Sequence, residues 1–348
     1  MDKEKVAVAI LNYNGKHWLE KFLPNVLAHS CSHAQVYVID NASTDDSVDL
    51  LNRSFPVVRQ ILNTENEGYT GGYNAGMAQL DEEIVVLLNS DVEVSENWLQ
   101  PIVDAFEGDE QLAAVQPKIL DHKKRERFEY AGGAGGFIDV LGYPFCRGRI
   151  FQELEEDHGQ YDDTQPIFWA SGACLAVRRS FFLAAGQLDP IFFAHFEEID
   201  LCWRFHRMGH RVGYVSSSVV YHVGGGTLSN LDPRKTYLNF RNNLFVLFKN
   251  LPGAQLFSVI LKRMLLDGAA GVLFLLQGKP RHTWAVVQAH GSFYRRWSAL
   301  RERRKAMRQL PAEWPLGQVY KGSVSADFFI RGRRRFSDLP ATDFHSRP

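Results

Sequence analysis

Apolar positions in the first half of the chain come in short unbroken blocks, and most blocks stop at an acid or an amide. Ile84-Val85-Val86-Leu87-Leu88 is the plainest, with Asn89-Ser90-Asp91 directly after it. Such a run predicts a strand covered on both faces, as parallel sheets require, with its last residues delivered to the rim. Val6 to Leu11 predicts a first strand ended by Asn12-Tyr13-Asn14-Gly15, Val36 to Ile39 a second that stops at Asp40, and Val57 to Ile61 a third. Trp18 to Leu27 suits a helix packed on the sheet, and Asn41 to Asp46 suits a turn that leads into another. Strands alternating with helical or glycine-rich segments predict an α/β fold with a mostly parallel, Rossmann-like sheet. Ligands of such sheets gather beyond the strand tips.

Further along, Gln100 opens a helical segment and Val115 to Ile119 reads as a strand. From Ala131 to Asp163 periodicity is poor and glycines are many, which predicts a loop-rich excursion of the kind that carries binding residues. Trp169 to Arg179 reads as a turn feeding a strand, and a helix is expected from Glu197. Two short strands follow, Arg211 to Val215 and Val219 to Val223. Between Thr236 and Gln277 the apolar spacing turns helical, interrupted at Lys262, Arg263 and Asp267. The interruptions predict two amphipathic helices and no bilayer span, with a face for the core, a second subunit or a membrane surface. The expected division is 1–235 for the α/β domain and 236–348 for a helical, basic region.

With 348 residues the chain can bury a full-sized core. A formal net charge of -1 argues against a bulk nucleic-acid binder. That total hides a basic end, from Arg295, Arg296, Arg301, Arg303, Arg304, Lys305 and Arg308 to Arg331, Arg333, Arg334 and Arg335, suited to anionic headgroups. No nucleic-acid recognition module accompanies it. The four cysteines lie far apart, so buried thiols in a reducing compartment are expected. No secretory signal is visible, and the expected location is cytoplasmic.

Several residues could carry chemistry, each beside a plainer role. Asn89 and Asp91 either reach a metal-bound phosphate or cap a following helix. Asn66-Glu67-Gly68-Tyr69-Thr70-Gly71-Gly72-Tyr73-Asn74 either brings backbone close to a nucleotide or simply turns the chain. It is not a P-loop, which makes that kind of ATPase or kinase an unsuitable reading. Glu197 and Glu198 open a helix, where acids serve the dipole, yet Glu198 follows an aromatic loop that could hold it against a cleft. His222, before Gly224-Gly225-Gly226, is either structural or a ligand.

Together these stretches resemble glycosyltransferase family 2, inverting enzymes of GT-A fold, and within it the rhamnosyltransferase-like branch. The matching text is VAVAILNYNG, VYVIDNASTDDSV, NTENEGYTGGYNAG, VVLLNSDVEV, WASGACLAVRR, FAHFEEIDLCWRFHRMGHRVGYV, VVYHVGGGT and YLNFRNNLFVLFKN. The resemblance implies mixed acceptor-side strands beside the parallel sheet, and transfer of a sugar, foremost L-rhamnose from dTDP-L-rhamnose, to a bacterial surface glycan or lipid-linked acceptor. Galactose, glucose or N-acetylglucosamine from UDP, or a catalytically silent binding subunit, are the rival expectations. It further implies that Leu11, Tyr13, Asp40, Gly72, Asn74, Asn89, Ser90 and Asp91 bind the nucleotide sugar. Asn89-Ser90-Asp91 stands where the family has Asp-x-Asp, so Asp91, with His222, would bind Mg2+ or Mn2+. Glu198 takes the place of the catalytic base, and Trp169, Ser171, Gly172 and Glu197 fall on the acceptor side. Peripheral contact at the inner face of the membrane and self-association are expected of the helical region.

Overall fold

The computed structural model describes residues 5–224, 232–307 and 318–344; Gly225, Gly226 and Arg308 lie outside the described residues. The first half builds a parallel sheet from β1 (Val6–Asn12), α1 (Lys16–Ser30), β2 (Gln35–Asp40), α2 (Ser47–Ser54), β3 (Arg59–Leu62), α3 (Gly68–Met77) and β4 (Ile84–Asn89). The strands run β3-β2-β1-β4, all parallel. Apart from Leu11 at the rim, their Val, Ile, Leu and Ala side chains are covered in β1 and β4, because helices pack over both faces. Register then decides where function can sit. Leu11 lies level with both Ile39 and Asn89, and Asn12 with Asp40, so three polar strand ends emerge along one edge. The third strand begins at Arg59 and not at Val57, which stands exposed in the turn before it.

No helix follows Asp91 directly, so helix capping is not what it does. Instead come β5 (Val92–Val94), α4 (Gln100–Gly108) and β6 (Leu112–Asp121), then β7 (Gly136–Asp139), β8 (Pro144–Cys146), β9 (Arg149–Ile150), β10 (Glu153–Leu154) and β11 (Thr164–Pro166). The stretch expected to be loop-rich thus holds short strands of a second sheet, ordered β10-β9-β8-β7. Runs of two to four residues between glycines are too short to show a period, which is why the pattern hid them.

The main sheet is completed by β12 (Cys174–Arg178), and after α5 (Arg179–Ala184) and α6 (Glu197–Arg207) by β13 (Arg211–His222). It reads β11-β13-β6-β12-β4-β1-β2-β3, with β12 antiparallel to both neighbours and β5 pairing antiparallel to the end of β13. The two segments expected at 211–215 and 219–223 are one strand with an irregularity between Val215 and Val219. It falls opposite Pro117, which has no N–H to give a ladder.

The chain ends in α7 (Pro233–Asn250), α8 (Gly253–Leu276), α9 (Pro280–Arg295), α10 (Trp297–Met307), β14 (Val319–Tyr320) and α11 (Val324–Phe329). β14 pairs with β7 and so closes the second sheet. Much of the basic end is spent inside the molecule. Arg303 binds Asp189, Arg304 donates to the Phe248 and Leu251 carbonyls, Arg331 and Arg333 share Asp327, and Arg334 reaches Glu153. Among the described residues no helix is long and apolar enough to cross a membrane.

Candidate active site

The rim is built from the parallel strand ends. Asn12 is wholly buried and donates from Nδ2 to Asp40 Oδ1 at 2.9 Å, while the Ser43 N–H donates to Asp40 Oδ2 at 2.8 Å. Asp40 thereby fixes the loop after β2 beside the loop after β1. Asn41 continues the brace, donating to Asn66 Oδ1 at 2.8 Å and to the Gly68 carbonyl at 3.0 Å. Leu11 and the exposed Tyr13 stand at this rim. Gly72 lets α3 press against it, since a Cβ there would meet Leu11 Cδ1 at 2.7 Å. Asn74 spends both amide atoms on the Leu188 backbone, tying α3 to the chain before α6.

Past β4, Asn89, Ser90 and Asp91 turn over the end of β13. Asp91 Oδ1 lies 3.2 Å from His222 Nε2, and His222 Nδ1 lies 3.2 Å from Glu129 Oε2. Asn89 Nδ2 is 3.4 Å from the same Nε2. Burial alone would push the imidazole down, but Glu129 and Asp91 together push it up to about 10. Burial likewise opposes ionisation of Asp91, and the His222 hydrogen bond and charge outweigh it, holding the carboxyl below its usual range.

This pair suits a hard divalent cation. Adjacent ligands of an octahedral ion bonded at roughly 2.1 Å sit about 3 Å apart, close to the Asp91 to His222 spacing. An ion would take the place of the imidazole proton, because a ligating histidine is neutral, and Glu129 would orient the ring from its far nitrogen. Among the described residues no three His, Cys, Asp or Glu groups are arranged to hold a metal. Glu129 faces the wrong nitrogen for that, so the other oxygens must come from a ligand or water.

The second acid group sits at the start of α6. The loop before it places Phe193, His195 and Phe196 at φ near +70°, a left-handed conformation that costs a non-glycine residue about 1–2 kcal/mol. Three such residues in four positions persist because α7 holds them. Asn242 Nδ2 lies within hydrogen-bond distance of the Phe192, Ala194 and His195 carbonyls, and Arg241 donates to Phe192 at 2.7 Å. Glu197 is buried and Glu198 nearly so, and Oε2 of each has no hydrogen-bond partner among the described residues. Burial, against opposing backbone amides at the helix start, raises Glu198 to about 7. Burial and then the Glu198 charge raise Glu197 well above the ordinary range.

Two links join the acid pair to the rim. Tyr69 donates its hydroxyl to the Gly172 carbonyl at 2.8 Å and its N–H to Phe193, while the Asn89 N–H donates to Ala173 at 3.0 Å. Ser171 is buried in the turn before β12, with its N–H on Gln116. Trp169 is 3% exposed and gives its indole N–H to the Phe137 carbonyl at 2.9 Å, so it forms the wall behind this turn and offers no open ring face.

Sequence reasoning passed over Glu129, Tyr69 and Asn242. Glu129 stands alone in a polar run with nothing periodic around it. Tyr69 and Asn242 lie in stretches that drew attention, but their roles depend on partners 103 and about 50 residues away.

Residues 7–183 match the family described as glycosyl transferase family 2. An N-acetylglucosaminyl-diphospho-decaprenol L-rhamnosyltransferase of Mycobacterium tuberculosis is 29% identical over 230 residues, covering 62% of this chain and 74% of its own. A low-salt glycan biosynthesis hexosyltransferase of Haloferax volcanii is 24% identical, covering 69% and 74%. Among solved structures, a Pyrobaculum calidifontis mannosyltransferase with GDP-Man and Mn2+ superimposes with a TM-score of 0.51 at 15% identity, covering 88% of this chain and 87% of that one. GalNAc-T7 with UDP, GalNAc and Mn2+ gives 0.56 at 18% identity over 72% of this chain, which spans only 48% of it. The fold is GT-A.

Proposed function

The chain belongs to glycosyltransferase family 2, and from that premise we propose an inverting transferase that moves L-rhamnose from dTDP-L-rhamnose to a hydroxyl of a bacterial surface glycan or lipid-linked acceptor. The choice of L-rhamnose as the sugar is supported by the name of the mycobacterial relative. The observation that carries the mechanism is Glu198, an acid at the start of α6 whose Oε2 is buried without a hydrogen-bond partner among the described residues and whose carboxyl burial raises to about 7.

Inversion needs one base opposite the leaving group. Ionised Glu198 takes the acceptor proton while that oxygen attacks the anomeric carbon and the bond to the diphosphate breaks. No covalent sugar intermediate forms, so a nucleophilic carboxylate is unnecessary. Glu197 stays protonated, which leaves its neighbour the one negative charge in the pair. Leu11, Tyr13, Asp40 and Gly72 would flank the nucleoside, and Ser171 and Gly172 the acceptor. Asp91 and His222 would hold Mg2+ or Mn2+, whose chemistry when bound is to neutralise charge on the departing diphosphate.

The test is a panel of dTDP-L-rhamnose, UDP-galactose, UDP-glucose and UDP-N-acetylglucosamine with a divalent cation, read first by thermal stabilisation. A donor at a hundredfold its Kd stabilises the folded form by about 2.7 kcal/mol. The rhamnose donor should stabilise most and release dTDP only when acceptor is added. A UDP sugar in first place would reassign the donor, and binding without acceptor-dependent release would make the chain a binding subunit.

A further inference from the structure

We propose that α8 and α9 form a surface that seats the protein on an anionic bilayer, lying in the headgroup layer and not crossing it. Helix α8 has two opposed stripes. Val259, Arg263, Asp267 and Gly271 are buried, with Arg263 Nε donating to Asp267 Oδ1 at 2.8 Å. Phe257, Leu261, Leu265, Val272 and Leu276 are between 48% and 79% exposed. At 100° per residue the second stripe points roughly 150° away from the first. Single exposed apolar residues are ordinary, but a stripe along a 24-residue helix is an interaction face.

Helix α9 packs antiparallel on α8, with Thr283 donating to the Gly271 carbonyl at 2.8 Å and the Tyr294 hydroxyl reaching Met264 sulfur at 3.4 Å. It adds Trp284, Val287 and Tyr294, all more than half exposed. Tryptophan and tyrosine favour the boundary between headgroups and acyl chains.

Charge selects the occupant. Across α8 and α9, from 253 to 295, the sequence carries five Lys and Arg against one acid, Asp267, which is the buried partner of Arg263. Lys262, Lys279, Arg281 and Arg295 are exposed. A second copy docking about a twofold axis would set this basic border against itself, whereas anionic lipid answers both the stripe and its charge. The proposal adds a location to the lipid-linked acceptor reading, but its test requires no turnover, so either can fail alone.

The full chain should co-sediment with phosphatidylcholine vesicles containing phosphatidylglycerol, more weakly with phosphatidylcholine alone, and less as salt rises. Lys279→Glu with Arg281→Glu should weaken partitioning at least about tenfold. Leu265→Glu with Leu276→Glu should abolish it with the melting temperature unchanged, since both side chains are exposed. Binding indifferent to the anionic lipid, or unaltered in the leucine pair, would overturn the proposal. So would a discrete dimer, seen in sedimentation velocity, that ignores vesicles and dissolves in the leucine pair.

Discussion

In the proposed mechanism, burial is what fits Glu198 for use as a base. An exposed glutamate at neutral pH is a weak base; desolvation raises this one to about 7, near the working pH. The same shift costs stability. A carboxyl whose folded value lies above its unfolded one favours the fold most while protonated, and the contribution is lost as pH climbs from about 4.5 towards 7. Glu198→Gln removes the ionised state, so the variant should melt higher than the parent at pH 8, by an amount on the order of a few kcal/mol, and nearly together with it at pH 4. Melting curves at the two pH values check this, and equal shifts at both would mean that the carboxyl is not desolvated. Asp91, His222 and Glu198 were all legible as single residues, because polar groups directly after apolar blocks or aromatic loops stand out. Glu129 was not. Its part depends on a ring nitrogen brought to it by a strand 93 residues later, and nothing local marks that.

At the level of elements, α6, which carries Glu198, is aimed by a loop that would not keep its shape unaided. Phe193 and Phe196 are not residues from which left-handed backbone would be expected, so nothing local marks the turn. Asn242 and Arg241, from α7, supply the restraint. Asn242→Ala leaves those carbonyls short of donors and should destabilise the protein by about 1–3 kcal/mol. If Glu198 depends on this loop for its position, kcat should also fall by roughly 10–100-fold with little change in donor affinity. Steady-state kinetics beside a denaturation curve separate the effects, and stability lost with kcat intact would confine Asn242 to the fold. The main sheet was largely legible, since buried parallel strands write themselves as apolar blocks. The second sheet was not, because its strands are shorter than any period, and β14 joins it from the far end of the chain.

Across the whole molecule, the proposed donor side and the proposed base come from different parts of the sequence. Asn12, Asp40 and Asp91 stand on the parallel half, while Glu198 stands on a helix packed against α7. Ion pairs and hydrogen bonds tie α6 to the helices that end the chain. Asp200 of α6 receives Arg204, Lys249 and Asn250, and Lys249 with Arg303 reaches Asp189, so α7 and α10 brace the helix that carries Glu198. The basic end looked like a surface for partners alone, and its pairing with acids far back in the sequence is a tertiary fact that charge counts cannot show. In the proposed mechanism these separately built halves serve one reaction, with the nucleotide sugar held by the first and the acceptor proton taken by the second. The most direct measurement compares donor binding and acceptor-dependent nucleotide release in the parent and in Glu198→Gln. The account predicts unchanged donor affinity and transfer reduced at least about a hundredfold; transfer equal to that of the parent would contradict it.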